Sequence, residues 1–494
     1  MEGLYQTIKE GKQIRENLAE LRKRIKEPGE KEKLMRLLAA DTAFFQELFG
    51  EEDPKVRKNA ALLIGDLDAQ EQLAVLYEAY QREETLFVRS AYLKAMERLD
   101  VQDYMEGLRK RQQELMSREV SEENRKHYRE ELLSLERLLE YYLIREKHLF
   151  RGHEKTWNVL LTTNRLYREV TARQVHGKKI SLVPLGVKVL SADLSRLMRI
   201  RTWHELLFLL DIGLARREPE EAAEDLMGSN LLAFLERAHG PMEQCRFRIS
   251  IQGKMPLDRR SDFIKKCSFA LEEMSGRRLM NSASDYEVEL RLLERKDGTF
   301  LPLLKLYTLK DERFSYRKSS IAASIRPQTA ALLAELARPY LKEGAQVLDP
   351  FCGVGTMLIE RDKAVAAGPM YGIDIFGEAI RKARENTECA GREIYYVNRD
   401  FFEFTHKYLF DEIFTNPPVR GKKSREEQEQ LYQQLFEQAE VLLRPGSRMF
   451  LYSNEKGYVK KQLRLRKRWG LVKEFAMDEK EAFFLYVIEL REKS

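Results

Sequence analysis

Over the first 148 positions apolar residues recur at spacings of three and four, with few glycines or prolines between them. That period belongs to the α-helix, and it predicts an all-helical region over 1–150. Near residue 155 the period changes. Thr156-Trp157-Asn158-Val159-Leu160-Leu161-Thr162-Thr163 is rich in strand formers. Further strands are predicted over 183–190, 206–210, 246–251, 286–292 and 300–306, and helices over 219–227 and 261–274. Asp297-Gly298 reads as a hairpin turn before the last of these strands. The stretch 151–318 is therefore expected to be α+β. From about 326 strands and helices alternate strictly, with strands at 346–349, 370–374, 394–397, 411–415, 447–452, 471–477 and 482–490. Such alternation predicts a doubly wound α/β sheet over 319–494. Asp478-Glu479-Lys480-Glu481 alone separates the last two strands, so they must pair as an antiparallel hairpin.

Two segments of the helical region echo each other. Asp53-Pro54-Lys55-Val56-Arg57 leads into Ala60, Leu63 and Leu67, and about 32 residues later Phe87-Val88-Arg89 leads into Ala91, Leu93, Met96 and Leu99. Asp53-Pro54 should start a helix, since proline is tolerated in the first turn. The Val-Arg pair and its spacing resemble HEAT repeats, although an ordinary helical bundle fits the same pattern. Residues 105–148 read as one or two highly charged helices with a solvated face.

The 494 residues are 43% hydrophobic, enough for real cores, and 34% charged, which suits long surface helices better than disorder. A net charge of +6 is compatible with a nucleic-acid partner. Cys245, Cys267, Cys352 and Cys389 form neither a disulfide framework nor a zinc motif and fit a reducing, cytoplasmic setting. The first residues lack an apolar signal core, and no run approaches the ~20 apolar residues a membrane span requires. The seven histidines show no ligand or triad spacing, so no metal is expected.

The chemistry-bearing signals all lie after residue 326. Val347-Leu348-Asp349-Pro350-Phe351-Cys352-Gly353-Val354-Gly355-Thr356 is a strand ending in an acid, a glycine turn and a helix entry. This is the form of a crevice at the carboxyl end of a parallel strand. No third glycine completes a dinucleotide fingerprint, and an acid at Asp349 would repel a pyrophosphate but attract an ammonium group. Tyr371-Gly372-Ile373-Asp374-Ile375 ends the next strand, where a carboxylate can accept two ribose hydroxyls. Asn398-Arg399-Asp400-Phe401 closes the third: Asp400 can accept from an adenine amine, and Phe401 or Ile375 can cover the ring. Phe414-Thr415-Asn416-Pro417-Pro418 follows the fourth. There a side-chain oxygen and a proline-constrained carbonyl can hold both hydrogens of a planar amine, a task of positioning more than of strong base catalysis.

These four motifs, in this order, resemble those of class I N-methyltransferases dependent on S-adenosylmethionine (SAM). The resemblance implies a Rossmann-like catalytic domain with a terminal β-hairpin. It places Asp349, Phe351, Cys352, Gly353, Gly355 and Thr356 around the methionine part, Asp374 and Ile375 at the ribose, and Asp400 and Phe401 at the adenine. Asn416, Pro417 and Pro418 would orient the acceptor nitrogen, with Asn416 also bordering the cofactor. Where such enzymes usually carry an aromatic residue after the second proline, this chain has Val419.

Upstream, Arg313-Phe314-Ser315-Tyr316-Arg317 and Ile325-Arg326-Pro327-Gln328 resemble the junction between a THUMP RNA-binding domain and its methyltransferase. The 151–318 region would then be a ferredoxin-like and THUMP-like module. Arg313, Arg317, Lys318 and Arg326, interleaved with aromatics, are the candidate RNA contacts, together with Val419 beside the target base. A solvated linker has the same composition. The basic run Lys460–Arg468 could flank a substrate groove or simply be a solvated face. The implied activity is methylation of the guanine N2 amine in tRNA or rRNA, with a protein partner possible through the helical region. DNA adenine or a protein glutamine amide as acceptor, and an RNA-binding scaffold that retains SAM, are the alternatives.

Overall fold

The structure is a computed structural model, and it describes residues 1–27, 29–39, 41, 43–117, 124–142, 147–322, 324–421, 424–478 and 482–492. It comprises two compact units, Met1–Glu146 and Lys147–Ser494.

The described elements of the first unit are all helical. The helix Pro54–Leu67 begins as its sequence dictates: Asp53 accepts the Lys55 N–H at 2.8 Å, and proline occupies the first turn. It packs against Leu86–Met96 so closely that a Cβ on Gly65 would lie 2.8 Å from the Ala95 Cα. The two Val-Arg pairs sit alike. Val56 and Val88 are buried. Arg57 holds the buried Glu83 carboxylate through two bonds of 2.8 Å, while Arg89 reaches the Glu83 carbonyl at 2.7 Å and the buried Glu131 carboxylate at 3.3 Å. The predicted charged helices run Met105–Ser117 and Arg125–Tyr142; the 105–148 stretch also includes residues 118–123 and 143–146, which lie outside the described set.

The second unit holds two sheets. Strands β1 (Trp157–Thr163), β2 (Lys178–Val183), β3 (Gly186–Ser191), β4 (Trp203–Leu209), β5 (Cys245–Gln252), β6 (Leu279–Asn281), β7 (Val288–Glu294) and β8 (Phe300–Leu306) form one sheet in the order β2-β3-β1-β4-β8-β7-β5-β6. Its core face buries Trp157, Phe208 and Phe247 beneath helices that include Leu231–His239 and Leu257–Met274. The pattern over 183–190 proves to be two strands, not one. The chain reverses at Pro184-Leu185, so Val183 pairs with Gly186. Gly298 adopts φ +82° in the β7–β8 turn, the left-handed conformation its position requires.

Strands β9 (Val347–Asp349), β10 (Met370–Asp374), β11 (Tyr395–Asn398), β12 (Phe410–Thr415), β13 (Leu443–Ser453), β14 (Trp469–Ala476) and β15 (Phe484–Leu490) form the other sheet, ordered β11-β10-β9-β12-β13-β15-β14. The first five are parallel neighbours, while β15 inserts antiparallel between β13 and β14. The predicted turn residues Glu479–Glu481 lie outside the described set. After β9 the chain moves outward through β10 and β11, then returns to the other side of β9 with β12. This switch point opens a crevice beyond the carboxyl ends of the strands.

Ionic and polar contacts tie the two sheets together. Arg201 holds Glu360, in the helix Thr356–Ala364, at 2.6 and 2.8 Å. Tyr316 donates to the same carboxylate at 2.7 Å, and Asn164 donates to the Met477 carbonyl at 2.8 Å.

Candidate active site

The strand ends converge on one cavity of about 480 Å³. From the β9 turn come Phe351, Cys352, Gly353 and Thr356. From β10 and β11 come Asp374, Ile375, Asp400 and Phe401, and from β12 Asn416, Pro417, Pro418 and Val419. All of these predicted residues share one lining. Two of the residues expected around the cofactor do not reach it, nor do Arg313, Arg317, Lys318 and Arg326.

Gly355 is the first. At φ +81° it needs to be glycine, but a Cβ there would sit 2.2 Å from the Tyr396 hydroxyl, which is bonded to Thr387 Oγ1 at 2.8 Å. Its requirement is packing, not ligand approach. Gly353, at φ +52° with open space where a Cβ would be, is the glycine that faces the cavity.

Asp349 is the second, and it lies beneath the floor, fully buried. Its Oδ1 accepts Thr415 Oγ1 at 2.6 Å and the Phe351 N–H at 3.1 Å, while Oδ2 has no partner. Burial pushes its pKa up to about 7; those two bonds oppose the shift, and the nearby Asp374 adds to it. A buried carboxylate with one empty oxygen suits a cation placed above it.

Asp374 is already engaged through both oxygens, accepting the Gly353 N–H at 2.9 Å and the Phe376 N–H at 2.8 Å. A carboxylate offers about four acceptor positions, so two remain for hydroxyls. Asp400 caps the turn Phe401–Glu403 by accepting the Phe402 N–H at 3.0 Å. Phe351, Phe401 and Phe402 meet edge to face with centroids 5.5–6.4 Å apart, an apolar wall for a flat ring. Asn416 is half-buried, Pro417 buried and Val419 52% exposed. The Pro418 carbonyl is held at 3.1 Å by Gln428, a fully buried side chain from the helix Arg425–Leu442.

Several lining residues carried no local signal. Ile321 and Ser324 come from the stretch before the helix Pro327–Ala337, where Ile325 of the junction motif also lines the cavity, and Leu431 from the helix that follows β12. Phe402 adjoins the third motif and was legible only as its neighbour.

The expected basic cluster is corrected at Arg313. Its side chain is 1% exposed, stacked 2.9 Å from the Trp203 ring centroid and bonded to Asp311 and to the carbonyls of Ile200 and Trp203. It is a buried brace, unavailable to a phosphate. Arg317 is half-buried, while Lys318 and Arg326 are exposed. In the second basic run Lys460 pairs with Glu474, Lys461 with Glu429 and Arg466 with Glu437, so much of that charge is spent within the fold. Among the described residues no cluster has the make-up of a metal site, and no helix is long and apolar enough to cross a membrane.

Residues 315–481 match the family model described as UPF0020: RMKL-like, methyltransferase domain. A tRNA (guanine(10)-N2)-dimethyltransferase of Methanothermobacter thermautotrophicus is 26% identical over 155 residues, 30% of this chain and 45% of that one. A tRNA (guanine(6)-N2)-methyltransferase of Thermus thermophilus is 28% identical over 180 residues, 36% and 52% of the two chains. The chain thus spans about half the length of these curated relatives. The crystal structure of TrmN from Thermus thermophilus superposes with a TM-score of 0.52 at 22% identity, covering 68% of this chain and 99% of that one. The second sheet therefore has the fold of a methyltransferase domain.

Proposed function

We propose that the chain is a SAM-dependent RNA methyltransferase acting on the exocyclic N2 amine of guanine in tRNA. The observation that carries this reading is the convergence of the glycine turn after β9, two strand-end acids and Asn416-Pro417-Pro418 on one cavity, each from the end of a successive strand. The residues fit the cofactor. Asp374 suits its ribose and Asp400 with Phe401 and Phe402 its adenine, while the unpartnered Oδ2 of Asp349, beneath the floor, would offer its ammonium group a negative charge from below.

When bound, SAM supplies an electrophilic sulfonium methyl that a neutral amine nitrogen takes directly, losing a proton afterwards. Asn416 Oδ1 and the Pro417 carbonyl accept the amine hydrogens and so aim the nitrogen lone pair. As positive charge grows on that nitrogen, the same oxygens stabilise it. Gln428 keeps the loop still by holding the Pro418 carbonyl. Val419 offers the target base a smaller contact surface than an aromatic ring would.

The relatives' names support tRNA guanine as the acceptor. We read the first sheet and its helices as a ferredoxin-like and THUMP-like RNA-binding module, and Met1–Glu146 as HEAT-like. Residues 1–146 carry 26 Lys and Arg against 31 Asp and Glu, a balance that repels phosphate. A protein contact therefore suits that unit better than RNA. The unpaired cysteines fit a cytoplasmic setting.

The test is nucleoside analysis of tRNA and rRNA from cells lacking the gene, with tritiated methyl transfer by the purified protein onto those RNAs. Loss of one N2-methylguanosine from tRNA, restored in vitro, is the expected result. Unchanged nucleosides with no transfer to any RNA would overturn the enzyme reading.

A further inference from the structure

Between β8 and the helix Pro327–Ala337 the chain crosses from one sheet to the other, and its described residues form no helix or strand there. One buried side chain holds its middle to the turn after β9. Asn386, fully buried in the helix Gly377–Cys389, accepts the Ser319 N–H through Oδ1 at 3.1 Å and donates from Nδ2 to the Ser319 carbonyl at 3.0 Å. The same Nδ2 also donates to the Val354 carbonyl at 3.1 Å. Val354 stands between the two turn glycines and lines the cavity. Two neighbours on the helix add to the grip: Ser319 Oγ donates to Glu385 at 2.7 Å, and Lys382 donates to the Ser320 carbonyl at 3.2 Å. Just beyond this anchor, Ile321, Ser324 and Ile325 become a wall of that cavity. Just before it, Tyr316 is bonded to Glu360, the residue that Arg201 holds.

We propose that Asn386 is a positioning residue that seats the inter-sheet segment as a wall of the cofactor cavity, coupling cofactor affinity to the docking of the two sheets. The inference rests on the SAM reading above. One carboxamide joins the segment to the turn that cradles the ligand, so neither can shift without breaking bonds to the other. An irregular segment has no ladder of its own to replace them, and its apolar side chains would leave the wall. A ligand that packs against the wall must in turn steady the segment, because coupling between two equilibria is reciprocal.

The test uses the full chain and S-adenosylhomocysteine as probe. Calorimetry gives its affinity, and trypsin cleavage after Arg317 and Lys318 reports the segment. In the wild type the probe should slow that cleavage. Asn386→Ala should weaken binding at least ~10-fold, the scale of losing two or more neutral hydrogen bonds. It should also speed cleavage and lose the protection at matched saturation, with an unchanged circular dichroism spectrum. Asn386→Asp, which keeps the acceptor for Ser319 and loses both donated bonds, should fall between. Should Asn386→Ala fail to fold, Lys382→Ala, at the helix surface, should give smaller changes in the same direction. Wild-type affinity in a folded Asn386→Ala, or a bound probe that leaves cleavage untouched, would overturn the proposal. If the wild type binds no probe, the SAM reading falls, and ligand-free cleavage of the variant still decides whether Asn386 seats the segment.

Discussion

Thr415 Oγ1 lies 2.6 Å from Asp349 Oδ1, a buried bond that joins the end of β12 to the end of β9. It sets the residue just before Asn416 against the acid beneath the cavity, so the ends of β9 and β12 share one support.

That acid should make ligand affinity pH-dependent. With its pKa near 7, Asp349 is charged only above that value. An ammonium ligand needs the charged form, so S-adenosylhomocysteine affinity should fall below pH 7, by up to about tenfold per unit for one coupled proton. Calorimetry between pH 5.5 and 8.5 checks this, and a flat profile would remove Asp349 from the site. The folded pKa is raised above the unfolded value, so the group's contribution to stability is present at low pH and lost as pH rises towards 7. Asp349→Asn should therefore raise the melting temperature of the ligand-free protein at pH 8, while weakening ligand binding.

Asp374→Ala should cost roughly 1.5–3 kcal/mol of cofactor binding through the charged bond to ribose. Since Asp374 also holds the Gly353 N–H, the loss combines contact and turn order. Asp374→Asn, which keeps one acceptor oxygen, should recover part of it. Unchanged affinity in Asp374→Ala would exclude the ribose role.

Asn416→Ala should slow methyl transfer at least ~100-fold with little change in RNA or cofactor affinity, because its bonds matter most in the transition state. Asn416→Asp should keep partial activity. Val419→Phe should strengthen base stacking and raise transfer. Single-turnover tritium transfer separates these outcomes; wild-type rates in Asn416→Ala would sink the mechanism.

Arg313→Ala should destabilise the fold by roughly 3 kcal/mol and leave the salt dependence of RNA binding alone, since the side chain is buried. Lys318→Ala with Arg326→Ala should flatten that dependence by up to ~0.7 per lost phosphate contact. Denaturant titrations and filter binding across salt concentrations measure both. A slope that drops only in Arg313→Ala would reverse the assignment.

What was legible in the chain follows from the range of the interactions. Strand-end acids and Asn416-Pro417-Pro418 could be read because strand, turn and chemistry are contiguous in sequence. The role of Gly355 could not, because the atom that demands glycine belongs to Tyr396, forty-one residues further on. Arg313-Phe314-Ser315-Tyr316-Arg317 looks the same whether its cations face water or Trp203; only tertiary burial separates the cases. Ile321 and Ser324, which line the cavity, follow neither a helical nor a strand period, so nothing local announces them. The reversal at Pro184-Leu185 lacks the Asn-Gly or Asp-Gly signature and merged two strands into one apparent run.

The insertion of β15 between β13 and β14 bears on how the chain is made. A ribosome delivers β13 and β14 before their shared neighbour: β13 can already lie against β12, but β14 has no place in the sheet until Phe484–Leu490 has emerged. Until then β13 presents an unpaired edge, the feature that draws nascent chains into wrong partnerships. Met1–Glu146, a compact unit of its own, has emerged in full long before. Messages cut short upstream of residue 484 should thus yield a chain whose second sheet keeps an open edge at β13, a product that quality control would need to clear.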